Sequence, residues 1–184
     1  PDMPSFGSVA QKLVVSTSER WEDVSKWYWR LCRPHLEATN EAMTNKVAEI
    51  VKGLDGEKEK VRAIFKFVSQ EIRYMGLTLE DTSPGYAPHD VDVTFNNRYG
   101  VCRDKAGLLV AMLTMAGHKA YPVLIHVGAK LDPEVPQPFF NHAIVAAEVD
   151  GEFVLMDPTN ENAKDYLPSY ESDKSYLICR PEGD

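Results

Sequence analysis

The chain has 184 residues, three of them cysteine, with 20 basic against 28 acidic side chains for a net charge of −8, a size that points to one domain. Its 43% hydrophobic and 26% charged residues are those of a soluble globular domain rather than a disordered one, and a compact chain of this length needs neither disulfides nor a metal to hold its core. The acidic balance, with no Lys/Arg stripe, argues against nucleic acid as a partner, and the longest apolar stretch, Ala106 to Ala116, falls well below the roughly twenty residues that span a bilayer.

Pro1, Pro4 and Gly7 make residues 1–17 a lead-in segment or linker, and a proline at residue 1 with no charged-then-apolar leader reads as the start of a piece of something longer. Residues 18–184 are expected to form a single domain. Trp21, Val24, Trp27, Tyr28 and Leu31 keep helical spacing after Ser18, so a helix with an aromatic face is predicted there, ended by Pro34. A second helix is predicted over Asn40 to Lys52, stopped at Gly53. The third is marked by Val61, Ile64, Phe65, Val68 and Ile72.

From Arg73 to Tyr99 the pattern breaks at Pro84, Gly85, Pro88 and Asn96-Asn97, and an ordered loop that shapes a cleft is expected. Cys102 to Ala116 is apolar on almost every side, which predicts a buried central helix stopped by Gly117. Strands are predicted over Ala120 to Val127, His142 to Val149, Glu152 to Asp157 and Ser175 to Arg180, with Asp150-Gly151 as a hairpin turn. Helices followed by an antiparallel sheet make the expected class α+β.

Cys102 stands where the cleft loop turns into the central helix. A thiol in the first turn of a helix feels the positive end of the macrodipole, which favours the thiolate, although free cysteines are more often small core hydrophobes. If Asp150 and Gly151 are the two central residues of a two-residue turn, Asp157 falls opposite Ile144 and Thr159 opposite His142. His142 and Asp157 then share a face as diagonal neighbours, close enough for a carboxylate to orient the imidazole. A three-residue loop would put them on opposite faces. Thiol, imidazole and carboxylate are the nucleophile, base and orienter of cysteine acyl chemistry, but spacing alone does not bring Cys102 to His142.

At these residues a resemblance appears. The strings RYGVCRDKAGLLVAMLTMAGHKAYPVLI and FFNHAIVAAEVDGEFVLMDPT, with IRYMG and GYAPHDVDVTFNNRYG upstream, resemble the core of the bacterial transglutaminase-like superfamily, a branch of the papain-type cysteine fold, over roughly Trp21 to Pro168. The resemblance implies N-terminal helices and a central buried helix packed on an antiparallel sheet, with Cys102 as nucleophile, His142 as general base and Asp157 as its orienter. Many relatives carry Asp before the nucleophile, where this chain has Val101. By the same resemblance Tyr74 is the position matching the group that assists the oxyanion, though a tyrosine packed at a strand end reads equally well.

Asp104 is expected to cap the central helix, Arg103 and Lys105 to steady a thiolate or lie in solvent, and Trp21, Trp27 and Trp29 to pack. His89 and His118 lack partners at metal-ligand spacing, and no metal or cofactor is expected. Cys32 and Cys179 read as core residues, with a disulfide between them open in an oxidising compartment. The leading expectation is a cysteine-type peptidase or amidase acting on a peptide or protein through a thioester acyl-enzyme. The alternatives are a protein-crosslinking transglutaminase and a non-catalytic peptide-binding module of a larger exported protein. An extracytoplasmic location follows by analogy with similar bacterial domains. The oligomeric state is open.

Overall fold

Helix α1 (Trp21–Glu37) buries Val24, Tyr28, Cys32 and Leu36 along one stripe, while Trp27 and Trp29 turn edge-on to the rings of Tyr86 and Tyr121. The computed structural model describes residues 9–11, 13–76, 85–162 and 164–183. The predicted lead-in segment therefore lies partly outside the described residues, as does 77–84 of the cleft loop. Pro34 does not end α1, contrary to the expectation from sequence. The ring removes one backbone donor, but buried Leu36 packs over Gly107 and Arg33 meets Glu37 at 2.7 Å, so the last turn is held by packing beyond the proline.

Helix α2 (Glu41–Val51) is capped by Asn40, whose Oδ1 accepts the Met43 N–H at 3.0 Å, and Gly53 takes a positive φ of 75° beyond its end. Helix α3 (Glu57–Glu71) buries Val61, Ile64, Phe65 and Val68. The segment read as an ordered loop holds more structure than its turn residues indicated. Strand β1 (Arg73–Tyr74) pairs in parallel with β2 (Tyr99–Gly100), and between them lies a short helix, α4 (Val91–Asn97), with Val91, Thr94 and Phe95 buried. About two turns of helical spacing was too short a signal against Asn96-Asn97, and Arg98 closes the helix in the left-handed region at φ 61°.

Helix α5 (Cys102–Met115) is the buried centre, with an unbroken run of buried residues from Asp104 to Leu113. It packs against α1, α2, α3 and α4 and against the sheet. Lys105 departs from expectation: it is fully buried, and its Nζ donates to the carbonyls of Ser69 at 3.1 Å and of Ile72, at the C-terminal end of α3. A cation there meets the negative end of the α3 dipole and satisfies carbonyls the helix leaves open. Burial outweighs the charges of Glu161 and Asp157 and draws the amine down to about 8.

The sheet is antiparallel with order β5-β4-β3-β6, built from β3 (Ala120–His126), β4 (His142–Val149), β5 (Glu152–Met156) and β6 (Ser175–Ile178). Val149 pairs with Glu152 and Val145 with Met156, the register of a two-residue turn, and Asp150 and Gly151 both take positive φ as such a turn requires. One face of β3 and β4 packs on α5 through Leu124, Ala143, Val145 and Ala147. The expected α+β arrangement of helices on an antiparallel sheet is the one observed. Among the described residues no helix is long and apolar enough to cross a membrane.

Candidate functional site

Strand β2 delivers the chain into α5 through Gly100 and Val101. A Cβ at residue 100 would stand 2.7 Å from the Asp104 Cβ and 3.2 Å from Thr94 Cγ2, so glycine is required by close approach. Val101 offers no side-chain oxygen, and Asp104 takes the capping role expected of it: Oδ2 accepts the Val101 N–H at 3.1 Å and Oδ1 the His89 N–H at 2.9 Å. Cys102 thereby begins the helix, half-buried. Arg103 is not solvated either. Its side chain lies in the cleft wall with Nε 4.0 Å from Asp104 Oδ1.

The predicted hairpin register brings His142 and Asp157 together. His142 Nε2 lies 3.3 Å from Asp157 Oδ2, the imidazole 13% exposed and the carboxylate fully buried. With Nε2 turned to carboxylates, Nδ1 is left on the side of Cys102, which lines the same cleft and whose thiol His142 draws down. The contact that spacing could not supply is made by α5 lying across β4. Burial opposes ionisation of the Cys102 thiol, yet the hydrogen bond and charge of His142, helped by the N–H groups of Ala143 and Arg103, outweigh it and hold the thiol below its ordinary value. Burial likewise works against the imidazolium, but Asp157 and Cys102 push His142 up to about 10.

Asp157 is fitted to carry charge. The Thr159 N–H donates to Oδ1 at 2.8 Å, and the Thr159 hydroxyl lies 2.8 and 2.9 Å from the two oxygens. Burial raises its pKa, but His142 and these Thr159 contacts bring it below the usual carboxylate range.

Glu171 joins the group without any forewarning from sequence. It ends a single 3-10 turn (Ser169–Glu171), is 2% exposed, and sets Oε1 3.5 Å from His142 Nε2. An isolated acidic residue in an irregular stretch has no period to betray it. The one available hint was topological: β6 pairs with β3 beside Ile125, which also faces His142, so the chain entering β6 passes that end of the sheet. Donor atoms of His142, Asp157 and Glu171 all lie within 4.8 Å of one another, a grouping with cation-ligand chemistry that spacing arithmetic did not reveal.

A cleft of about 380 Å³ opens beside Cys102 and His142, between Gly85 and Tyr86 on one side and Phe140 and Asn141 on the other, with Arg103 in its wall. The Arg73 to Tyr99 segment expected to shape a cleft supplies one wall through Gly85 and Tyr86, and the chain entering β4 supplies the other. The Tyr86 hydroxyl ties them, donating toward the carbonyls of Pro138 and of Phe140 at 3.1 Å. Tyr74, at the end of β1, lines a separate hollow with Thr159 and Tyr170 and is 38% exposed. Its phenol is raised by burial and then by the charges of Cys102 and Asp157, which places it within electrostatic reach of both. Cys32 and Cys179 are both buried, and no disulfide joins them.

A family profile, that of the transglutaminase-like superfamily, matches residues 44–158, a span that contains Cys102, His142 and Asp157. No curated protein matches the chain. Among solved structures, a candidate protease from Parabacteroides distasonis aligns over 87% of this chain and 30% of its own, with a TM-score of 0.65 and 20% identity. A candidate cysteine protease from Cytophaga hutchinsonii aligns over 78% of this chain and 46% of its own, with a TM-score of 0.53 and 21% identity. The periplasmic domain of TgpA from Pseudomonas aeruginosa aligns over 72% and 48%, with a TM-score of 0.50 and 22% identity. The likeness to these three is one of fold, and the chain spans less than half the length of each. With the profile matched over well more than half of its residues, on the α+β fold these structures share, the chain belongs to the transglutaminase-like superfamily.

Proposed function

We propose that this protein is a cysteine acyl-transfer enzyme that hydrolyses amide or peptide bonds through a thioester acyl-enzyme. The observation that carries the reading is the place of one imidazole between two partners: His142 lines the cleft beside Cys102 and draws its thiol down, while its Nε2 lies 3.3 Å from buried Asp157. The Cys102 thiolate attacks the carbonyl carbon. The oxyanion is held by the backbone N–H of Cys102, which has no acceptor inside the first helical turn, with the Tyr74 hydroxyl as a second donor. His142, protonated by the thiol, then gives that proton to the leaving amine, the C–N bond breaks, and a thioester remains. Water, deprotonated by the same imidazole, attacks the thioester and returns the thiol. Asp157 stays ionised throughout and stabilises the imidazolium.

A peptide or protein segment fits a cleft walled by Tyr86, Phe140 and Arg103 and open beside the thiol. An extracytoplasmic setting accords with the periplasmic domain of TgpA that shares the fold. Iodoacetamide labelling tests the nucleophile: Cys102 is expected to react well below pH ~8, ahead of Cys32 and Cys179, and Cys102→Ala to abolish that labelling. Three thiols reacting alike, and only above that pH, would overturn the assignment. Incubation with a peptide library, with and without a primary amine, followed by mass spectrometry separates the outcomes. Cleaved products support hydrolysis, amine adducts identify a transferase, and neither one points to a binding module.

A further inference from the structure

Glu171 has no role in the steps above, yet it stands against them. Neither of its carboxylate oxygens accepts a hydrogen bond from a nitrogen or hydroxyl donor, and both are fully enclosed. Burial with no donor disfavours the charged form of such a carboxylate, and a second carboxylate within 4.8 Å disfavours it further. The neighbouring donors decide which one carries the charge. Asp157 collects the Thr159 N–H and hydroxyl as well as His142, whereas Glu171, among the described residues, faces Asp157 and His142, with Tyr170 beside it on its own turn.

We propose that Glu171 is a positioning residue that keeps its proton and donates its O–H to the Asp157 carboxylate, pinning that carboxylate against His142 Nε2. The inference rests on His142 acting as the base for Cys102. Two protons then converge on Asp157, one from His142 Nε2 and one from Glu171, while Nδ1 is left free to exchange a proton with the thiol. A neutral Glu171 also spares the dry site a second negative charge beside the thiolate. Burial and the Asp157 charge, opposed by His142, push Glu171 up to about 8, in keeping with this arrangement. A divalent cation would use the same three side chains, but only with both carboxylates ionised, so the two arrangements are separable.

The test uses the intact chain and three measurements. Infrared difference spectra between wild type and Glu171→Gln near neutral pH are expected to show the carbonyl band of a protonated carboxylic acid in the wild type, lost on raising the pH through about 8. Glu171→Met keeps the volume without the donor and is expected to slow iodoacetamide labelling of Cys102 roughly tenfold, the loss of one hydrogen bond to a charged group. Glu171→Gln, which can still donate, is expected to restore most of that rate, with melting curves confirming that both variants fold. Absence of the acid band, equal slowing by Met and Gln, or no slowing by either overturns the proposal. So does dialysis with Zn²⁺ alone in which the wild type retains stoichiometric metal and Glu171→Gln does not. The infrared band is read independently of the thiol. A band with ordinary Cys102 reactivity sinks the nucleophile and leaves the shared proton standing, whereas a reactive thiol without the band sinks the shared proton alone.

Discussion

Burial favours the neutral thiol at Cys102 and an adjacent imidazolium favours the thiolate, and the second effect wins only because Asp157 keeps His142 charged. Cys32 shows what burial does alone: it is 1% exposed and pushed up to about 12, with Tyr28 offsetting little. Cys102 is half-buried and Cys32 fully so, but the larger difference is that only Cys102 has an imidazolium beside it. His142→Ala therefore leaves Cys102 with its burial and without its counter-charge, helped only by the Ala143 and Arg103 N–H groups, and its pKa is expected to rise. In the wild type the thiolate forms above the lowered Cys102 pKa, and the imidazolium persists until pH approaches about 10, so labelling is fast across the window between them. In His142→Ala the acid limb of the labelling profile is expected to move upward by at least one pH unit, and the rate near pH 7 to fall by about tenfold or more. An unmoved limb would mean that the helix start, not His142, sets the thiolate. The pairing of His142 with Asp157 was readable from sequence because a two-residue turn propagates along an antiparallel ladder without ambiguity. Glu171 was not, because nothing periodic connects it to the site.

At the scale of elements, the position of Cys102 is decided by how β2 enters α5. Gly100 lets the backbone pass against Asp104 and Thr94, and Asp104 in turn caps Val101 and holds the His89 N–H. The close approach and the cap are thus one device. Gly100→Ala inserts a methyl 2.7 Å from the Asp104 Cβ, a separation that real Cβ atoms do not sustain, so either the start of α5 or the α4 contact at Thr94 must shift. The expected result is a loss of about 1–3 kcal/mol in chemical denaturation, as overpacking costs, together with slowed labelling of Cys102 in the folded fraction. Stability lost with labelling unchanged would show that Asp104 yields without moving the thiol. Sequence marked the thiol at a helix start and the Asp104 cap, since both follow from local chemistry. The same reading missed α4 and the last turn of α1, where the deciding contacts come from elsewhere: Phe95 and Val91 find the core, and Leu36 packs over Gly107.

Across the whole molecule, legibility followed the reach of the forces. Long amphipathic helices and the hairpin were visible because their periods repeat. Lys105 was not, because its partners Ser69 and Ile72 lie more than thirty positions upstream and a lysine pattern alone reads as solvated. The cleft belongs to this long-range class. Its two walls are over fifty residues apart in sequence and meet through the Tyr86 hydroxyl, which faces the carbonyls of Pro138 and Phe140. The Tyr86 ring is held separately, edge-on to Trp27 and Tyr28, and the far end of the second wall is anchored by Trp21 Nε1 on the Pro133 carbonyl at 2.7 Å. Tyr86→Phe therefore removes one clasp while leaving the ring packing and the other anchor. The global unfolding midpoint is expected to change by about 1 kcal/mol or less, whereas amide exchange is expected to quicken selectively at the Phe140 end of the wall. Because Phe140 and Asn141 border the cleft beside Cys102, a bulky maleimide should gain more in labelling rate than iodoacetamide does. Equal gains for both reagents would mean that the thiol itself had changed, and no gain with unchanged exchange would mean that the walls hold without Tyr86.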